Sequence, residues 1–130
     1  IINGNKTDIN RYRWSHQNII NKLKDKNSKQ SIFYKSITNL LEIRRKQKAF
    51  HPNGLRSYIN FGPEIFGFKR QSMDKRQIII CVTNLSSKNQ FPKINKNYIH
   101  WKNLIGSKKK IKKTKYLELK PFETMWLSNI

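Results

Sequence analysis

The spacing of hydrophobic positions along this chain changes once, and the change falls at Gly54. Before it, apolar residues recur at helical intervals. Ser15 can cap a short helix whose apolar positions are Ile19, Ile20 and Leu23, and lysines with "DKNSK" (Asp25 to Lys29) break it. A second helix is predicted from Ser28 or Ser31 to about Lys48, with Phe33, Ile37, Leu40 and Leu41 on one face and Ile32 and Ile43 flanking them. "RRKQK" gives its last turn the positive charge that a helix C-terminus favours, and "HPNG" (His51 to Gly54) stops it, because proline cannot continue a helix.

After Gly54 the period becomes two. "LRSYINF" (Leu55 to Phe61) and "EIFGFKR" (Glu64 to Arg70) alternate on either side of Gly62 and Pro63, the pattern of a hairpin. "RQIIICVTNL" (Arg76 to Leu85) is apolar on both faces and predicts a central strand. Shorter strands are expected at Phe91 to Ile94, Tyr98 to Leu104, Tyr116 to Leu119 and Thr124 to Leu127, with a basic loop or ribbon, "GSKKKIKKTK", from Gly106 to Lys115. Two helices followed by a run of strands is an α+β order, or two pieces of two domains, and the strand half reads as an antiparallel sandwich or a small barrel. The stripe on the second helix is too wide for a strand unit of this size to cover. It calls for a larger sheet that this sequence does not contain.

Composition adds charge. Among 130 residues, 28 are Lys or Arg and 7 are Asp or Glu, a net charge of +21. Such a balance suits nucleic acid or an anionic surface, yet the basic residues occur in every segment, with no zinc-ligand spacing, aromatic RNA-binding signature or recognition-helix pattern. A small basic nucleic-acid-binding module is therefore the alternative reading, and nucleic acid is expected to bind only non-specifically, in a salt-sensitive way. No apolar run reaches the length of a membrane span, and no membrane partner is expected. The start lacks an initiating Met and a secretory signal, as a fragment would. The single cysteine, Cys81, lies inside an apolar run and reads as an inert buried thiol, consistent with a reducing, cytoplasmic setting. His16, His51 and His100 have no carboxylate or cysteine at ligand spacing, so neither a metal nor another cofactor is expected.

One cluster stands apart. "DINRYRW" (Asp8 to Trp14) packs two arginines, a carboxylate, an amide and two aromatics into a loop ahead of the first helix. Together with "LLEIRRKQKAFHPNG", "FGPEIFGFKR", "IIICVTNLSS" and a closing "YLELKPFETMWL", it resembles the C-terminal portion of a sucrose phosphorylase-like enzyme of glycoside hydrolase family 13, the α-amylase clan, in the subgroup of sucrose and glucosylglycerate phosphorylases. The resemblance covers essentially the whole chain. Its most specific pieces are "DINRYRW" and "IRRKQKAFHP"; "KPFETMWL" is a commonplace ending of the clan.

The resemblance implies an α+β fragment: residues 1–50 would be the end of a (β/α)8 barrel, comprising the loop after strand eight, a short helix and the eighth helix. Residues 51–130 would be a sandwich-like antiparallel all-β C-terminal domain. The loop after the eighth strand lies at the active-site face of such barrels. The arginine of the Ile-Asn-Arg triplet, here Arg11, would then face the acceptor subsite, where a retaining phosphorylase lets phosphate attack a covalent glucosyl-enzyme. A guanidinium offers phosphate two parallel donors in a fixed fork. Asp8 and Asn10 would orient that fork, and Tyr12 and Trp14 would wall the subsite or anchor the loop. Without the resemblance, Arg11 reads first as a structural arginine bridging loop carbonyls. Lys6 and Thr7 depart from the residues relatives often carry there. The nucleophile, the acid/base and the third carboxylate of the family come from strands four, five and seven, which are absent here. No catalytic residue is therefore assigned, and this chain by itself is expected to be inactive. Sugar and phosphate substrates, and an upstream barrel portion, are the partners the resemblance implies.

Overall fold

Ser15 starts the first helix as the spacing predicts. In the computed structural model, which describes residues 13–98, 100–106 and 115–130, α1 runs His16–Lys24, and the Ser15 hydroxyl accepts a hydrogen bond from the Asn18 amide at 3.2 Å. Of the two serines that could open the second helix, Ser28 does so. Its hydroxyl accepts from the Ser31 amide at 3.1 Å, while the buried Ser31 donates back to the Leu23 carbonyl at 3.1 Å. Helix α2 then runs Lys29–Arg45, with Arg44 and Arg45 in the last turn where they oppose the negative helix end.

This helix stops three residues short of the expected Lys48. The cause is distant in sequence: the Ala49 amide donates to the buried Gln77 side chain at 2.9 Å, and the chain tightens into a 3-10 turn, Lys48–Phe50. The apolar stripe stays open. Phe33 is 69% exposed, Ile37 41% and Leu41 52%, and Ser31 is the one buried residue of α2. The chain divides into two compact units, Ile1–Asn39 and Leu40–Ile130.

The second unit is built on a five-stranded antiparallel sheet. Its strands are β1 Leu55–Tyr58, β2 Ile65–Gln71, β3 Ile78–Asn84, β4 Lys102–Asn103 and β5 Thr124–Ser128, in the order β1-β2-β3-β5-β4. The β1–β2 hairpin pairs Leu55 with Gln71 and Tyr58 with Phe68. Strand β1 ends earlier than the alternation suggests because Ile59 and Phe61 turn in to pack on the core. Gly67 makes room for them: a Cβ there would lie 2.3 Å from the Phe61 ring. Ser72 and Asp74 close the next turn, with the Ser72 hydroxyl donating to the Asp74 carboxylate at 2.5 Å.

Strand β3 sends alternate residues to opposite faces. Ile80 and Val82 join Ile65, Ile94, Leu117, Leu119 and Leu127 in the larger core, whereas Ile79 and Cys81 join Ala49 on the other face, beside Phe50, Phe68, Leu104 and Trp126. The layer over the larger core differs from the expected sandwich. Among the described residues it is not a second sheet but two extended segments joined by the isolated bridges Gln90↔Leu119 and Lys93↔Tyr116. Pro92 lies within the first segment and has no N–H for a longer ladder, although its carbonyl still accepts from the Leu117 amide at 2.9 Å. The strand expected from Tyr98 shrinks to β4 for a local reason: Asn95 accepts from the Asn97 amide at 3.0 Å and initiates the 3-10 turn Lys96–Tyr98. Trp126 lies on β5 and Trp101 precedes β4; both are half-buried.

Candidate functional site

The acceptor-site residues expected from the sequence, Asp8, Asn10, Arg11 and Tyr12, lie outside the described residues, as does most of the basic segment, 107–114. Of that loop, the structure describes Arg13 and Trp14, both exposed, immediately ahead of the Ser15 cap. His16 lies on α1 and His51 and His100 in turns, and no group of three or more His, Cys, Asp or Glu that could hold a metal ion occurs among the described residues.

What the described residues do form is a groove of about 700 Å³ on the second face of the sheet. Its floor follows directly from strand alternation. Phe66, Phe68 and Arg70 share one parity on β2, and the register places Phe68 opposite Cys81, which in turn faces Trp126 on β5. On the other side, Tyr58 of β1 lies opposite Phe68, and Arg56 opposite Arg70. The rings touch at tilted angles: Phe66 and Phe68 centroids are 5.6 Å apart, Tyr58 and Phe66 6.2 Å, Phe50 and Trp126 4.9 Å. Tyr58 remains 66% exposed and Phe66 46%, so among the described residues this part of the face has little cover.

Three arginines line the groove. The Arg44 guanidinium, in the last turn of α2, sits 5.9 Å from the centre of the Phe50 ring, a cation–π contact. Arg70 is held by backbone: its Nε donates to the Ala49 carbonyl at 3.1 Å and an Nη to the His51 carbonyl at 2.5 Å. Arg56 stands directly across the strand pair from Arg70, a like-charge arrangement that costs stability unless an anion relieves it. The ion pair of the described residues is elsewhere, Lys48 to Asp74 at 3.7 Å on the exposed surface, so none of these three arginines meets a carboxylate among them.

Cys81 closes the floor. Burial pushes its thiol up to about 12, with Arg70 nearby pulling weakly the other way. It is thus a neutral packing group and not a nucleophile. Native protein at pH 8 should react with Ellman's reagent about a hundredfold more slowly than protein in urea, because little thiolate forms and access is poor. The linkage has a definite sign. Folding is insensitive to this group below the unfolded value of 9.0, and stability falls as pH rises from there towards about 12, since only the unfolded chain releases the proton. Equal labelling rates in native and unfolded protein would contradict this picture.

Comparison with known proteins connects fold and sequence. No protein-family profile matches the chain. Over 83 residues, 64% of the chain, it is 29% identical to a glucosylglycerate phosphorylase of Spirochaeta thermophila, and this stretch spans 14% of that enzyme. The fold matches the trehalulose synthase MutB of Pseudomonas mesoacidophila MX-45 with a TM-score of 0.62 at 18% identity, covering 84% of this chain and 19% of that one. A MutB variant from crystals soaked with trehalulose gives 0.63 at 17% identity, with the same coverage. The chain resembles the C-terminal portion of a sucrose phosphorylase-like enzyme of glycoside hydrolase family 13. What is shared with the MutB structures is the fold, a small antiparallel sheet preceded in sequence by two helices. The groove was not foreseen from the sequence, although its signal is present: Phe66, Phe68 and Arg70 on one parity, with Tyr58 and Arg56 on the facing one, mark a strand face too polar for a sealed core and too aromatic for plain surface.

Proposed function

We propose that this chain is the C-terminal part of a retaining glucoside phosphorylase, which transfers a glucosyl group between a glucoside such as sucrose or glucosylglycerate and phosphate, in the cytoplasm. The similarity to glucosylglycerate phosphorylase carries this reading, and the open stripe on α2 supports the idea that a larger sheet belongs beside it. In this reading residues 1–50 close the barrel and residues 51–130 form the β domain. Arg11 holds the phosphate with its guanidinium fork, while Asp8 and Asn10 orient that fork and Tyr12 walls the subsite. Phosphate oxygen then attacks the anomeric carbon of the glucosyl-enzyme, and the ester bond to the enzyme carboxylate breaks, giving glucosyl phosphate and free carboxylate. The two carboxylates of that reaction are supplied by the barrel portion, so this chain alone is inactive.

The test is phosphate-dependent release of glucosyl phosphate from glucosylglycerate and from sucrose. The chain alone should give none. Joined to, or co-expressed with, the barrel portion, it should give turnover, and Arg11→Ala should raise the KM for phosphate about a hundredfold, the loss of a charge-assisted pair worth about 3 kcal/mol. Phosphorolysis by the chain alone would remove the need for a barrel partner. Turnover of the pair that is indifferent to phosphate would make the enzyme a hydrolase or isomerase.

A further inference from the structure

The groove on the second face of the sheet selects its basic residues. The chain contains 21 lysines and 7 arginines, yet among the described residues three arginines and no lysine, Asp or Glu line this groove. Arginine with exposed Tyr and Phe beside a half-buried Trp is the composition of polypeptide interfaces, from which lysine is depleted and where Trp, Tyr and Arg carry most of the binding energy. A surface that tracks nucleic-acid phosphates in so lysine-rich a chain would draw on lysine. A second copy of the chain is excluded as occupant by its +21 charge, which would bring cation against cation.

We infer that this groove docks an acidic polypeptide surface, one that lays leucine or aromatic side chains on Phe66, Phe68 and Trp126 and sets carboxylates against Arg44 and Arg56. The chemistry is complementary at each point. Arg56, forced opposite Arg70 by the register, gains a counter-charge, whereas Arg70 is already engaged with two carbonyls and keeps the floor rigid. Arg44 is pre-positioned over Phe50, so its fork loses little freedom when a carboxylate arrives. This inference goes beyond the proposed phosphorylase and does not depend on it.

The experiment uses the whole chain and two synthetic peptides of equal charge, one of alternating glutamate and leucine or phenylalanine, the other with serine in place of every apolar residue. Amide and indole shifts are followed by NMR in physiological salt. The apolar acidic peptide should perturb Phe66, Phe68, Cys81 and the Trp126 indole, and Arg56→Gln and Phe66→Ser should each weaken it about tenfold, the size of an ordinary interface anchor. Lys93→Gln, an equal loss of charge elsewhere, should leave affinity unchanged. Arg44→Gln, on the helix end and outside the sheet, gives a second reading if a strand variant fails to fold. Charge reversal closes the test: Arg56→Glu should lose the acidic peptide and gain its lysine counterpart. Equal binding of the serine peptide, or equal weakening by Lys93→Gln, would reduce the effect to bulk charge and overturn the inference. Tighter binding of a short oligodeoxythymidine at the same residues would overturn it in favour of a nucleic acid.

Discussion

Asn84→Leu is expected to destabilise the sheet unit by about 3 kcal/mol, although the two side chains share the same branched skeleton. Asn84 is 0% exposed at the end of β3 and spends its amide on both sides. Its Nδ2 donates to the carbonyls of Lys88 at 2.7 Å and Lys120 at 2.9 Å, and its Oδ1 accepts from the Ser86 amide and hydroxyl, both at 2.9 Å. One side chain therefore ties the loop after β3 to the turn that precedes β5. Leucine leaves the Ser86 amide without a partner and takes one donor from each of the Lys88 and Lys120 carbonyls, which keep the Ser86 hydroxyl and the Glu123 amide. Each such group costs about 1–3 kcal/mol where water cannot reach it, and loop opening will recover part of that. Urea unfolding followed by far-UV circular dichroism should show a lower midpoint with an unchanged slope. The neighbouring exposed Leu85→Ala, which deletes apolar surface without touching the network, should shift the midpoint little. If both substitutions cost the same, the network is not what holds this corner.

The elements that were legible in the sequence are those whose cause is local. The Ser15 cap with its 3.6-residue period, the change of period at Gly54, and the apolar run from Ile78 to Val82 each carry their own signal, and α1, the hairpin and β3 appear where those signals fall. What escaped depends on residues far along the chain. Helix α2 ends at Arg45 because Gln77, 28 positions beyond Ala49, captures the Ala49 amide and also donates to Gln47 at 2.7 Å. The segments around Pro92 and Leu117 read as strands by alternation, yet one proline reduces the ladder to isolated bridges. The groove has the same character. Each strand shows its own parity, but only the β1–β2 register brings Arg56 against Arg70 and Tyr58 against Phe68, and no local pattern encodes register. The acceptor loop is the reverse case. Its proposed residues Asp8, Asn10, Arg11 and Tyr12 rest on resemblance alone, and they lie outside the described residues.

Gly54→Ala is expected to cost about 2 kcal/mol or more, and to disturb the groove as well as the fold. Gly54 has no left-handed backbone to explain its presence; its need is space. A Cβ there would stand 2.8 Å from the Gln71 carbonyl oxygen and 3.1 Å from those of Ala49 and His51. All three obstacles are backbone, so no side-chain rotation relieves the contact. The Gln71 carbonyl belongs to the end of β2, which pairs with Leu55, the residue after Gly54, so relief must come from parting the hairpin at its open end. The other two carbonyls are the acceptors of Arg70. Pushing them aside frees Arg70 from both carbonyls and weakens the floor on which Phe68 and Cys81 sit. The measurement is therefore double: a lower urea midpoint, together with faster Cys81 labelling at pH 8. Asn53→Ala, one residue earlier on an exposed turn whose bond to His51 is made by the backbone amide, should stay within about 0.5 kcal/mol of the parent. A Gly54→Ala protein with parental stability and parental labelling would mean that the turn from His51 relaxes freely, and the close approach at Gly54 would lose its role in shaping the groove.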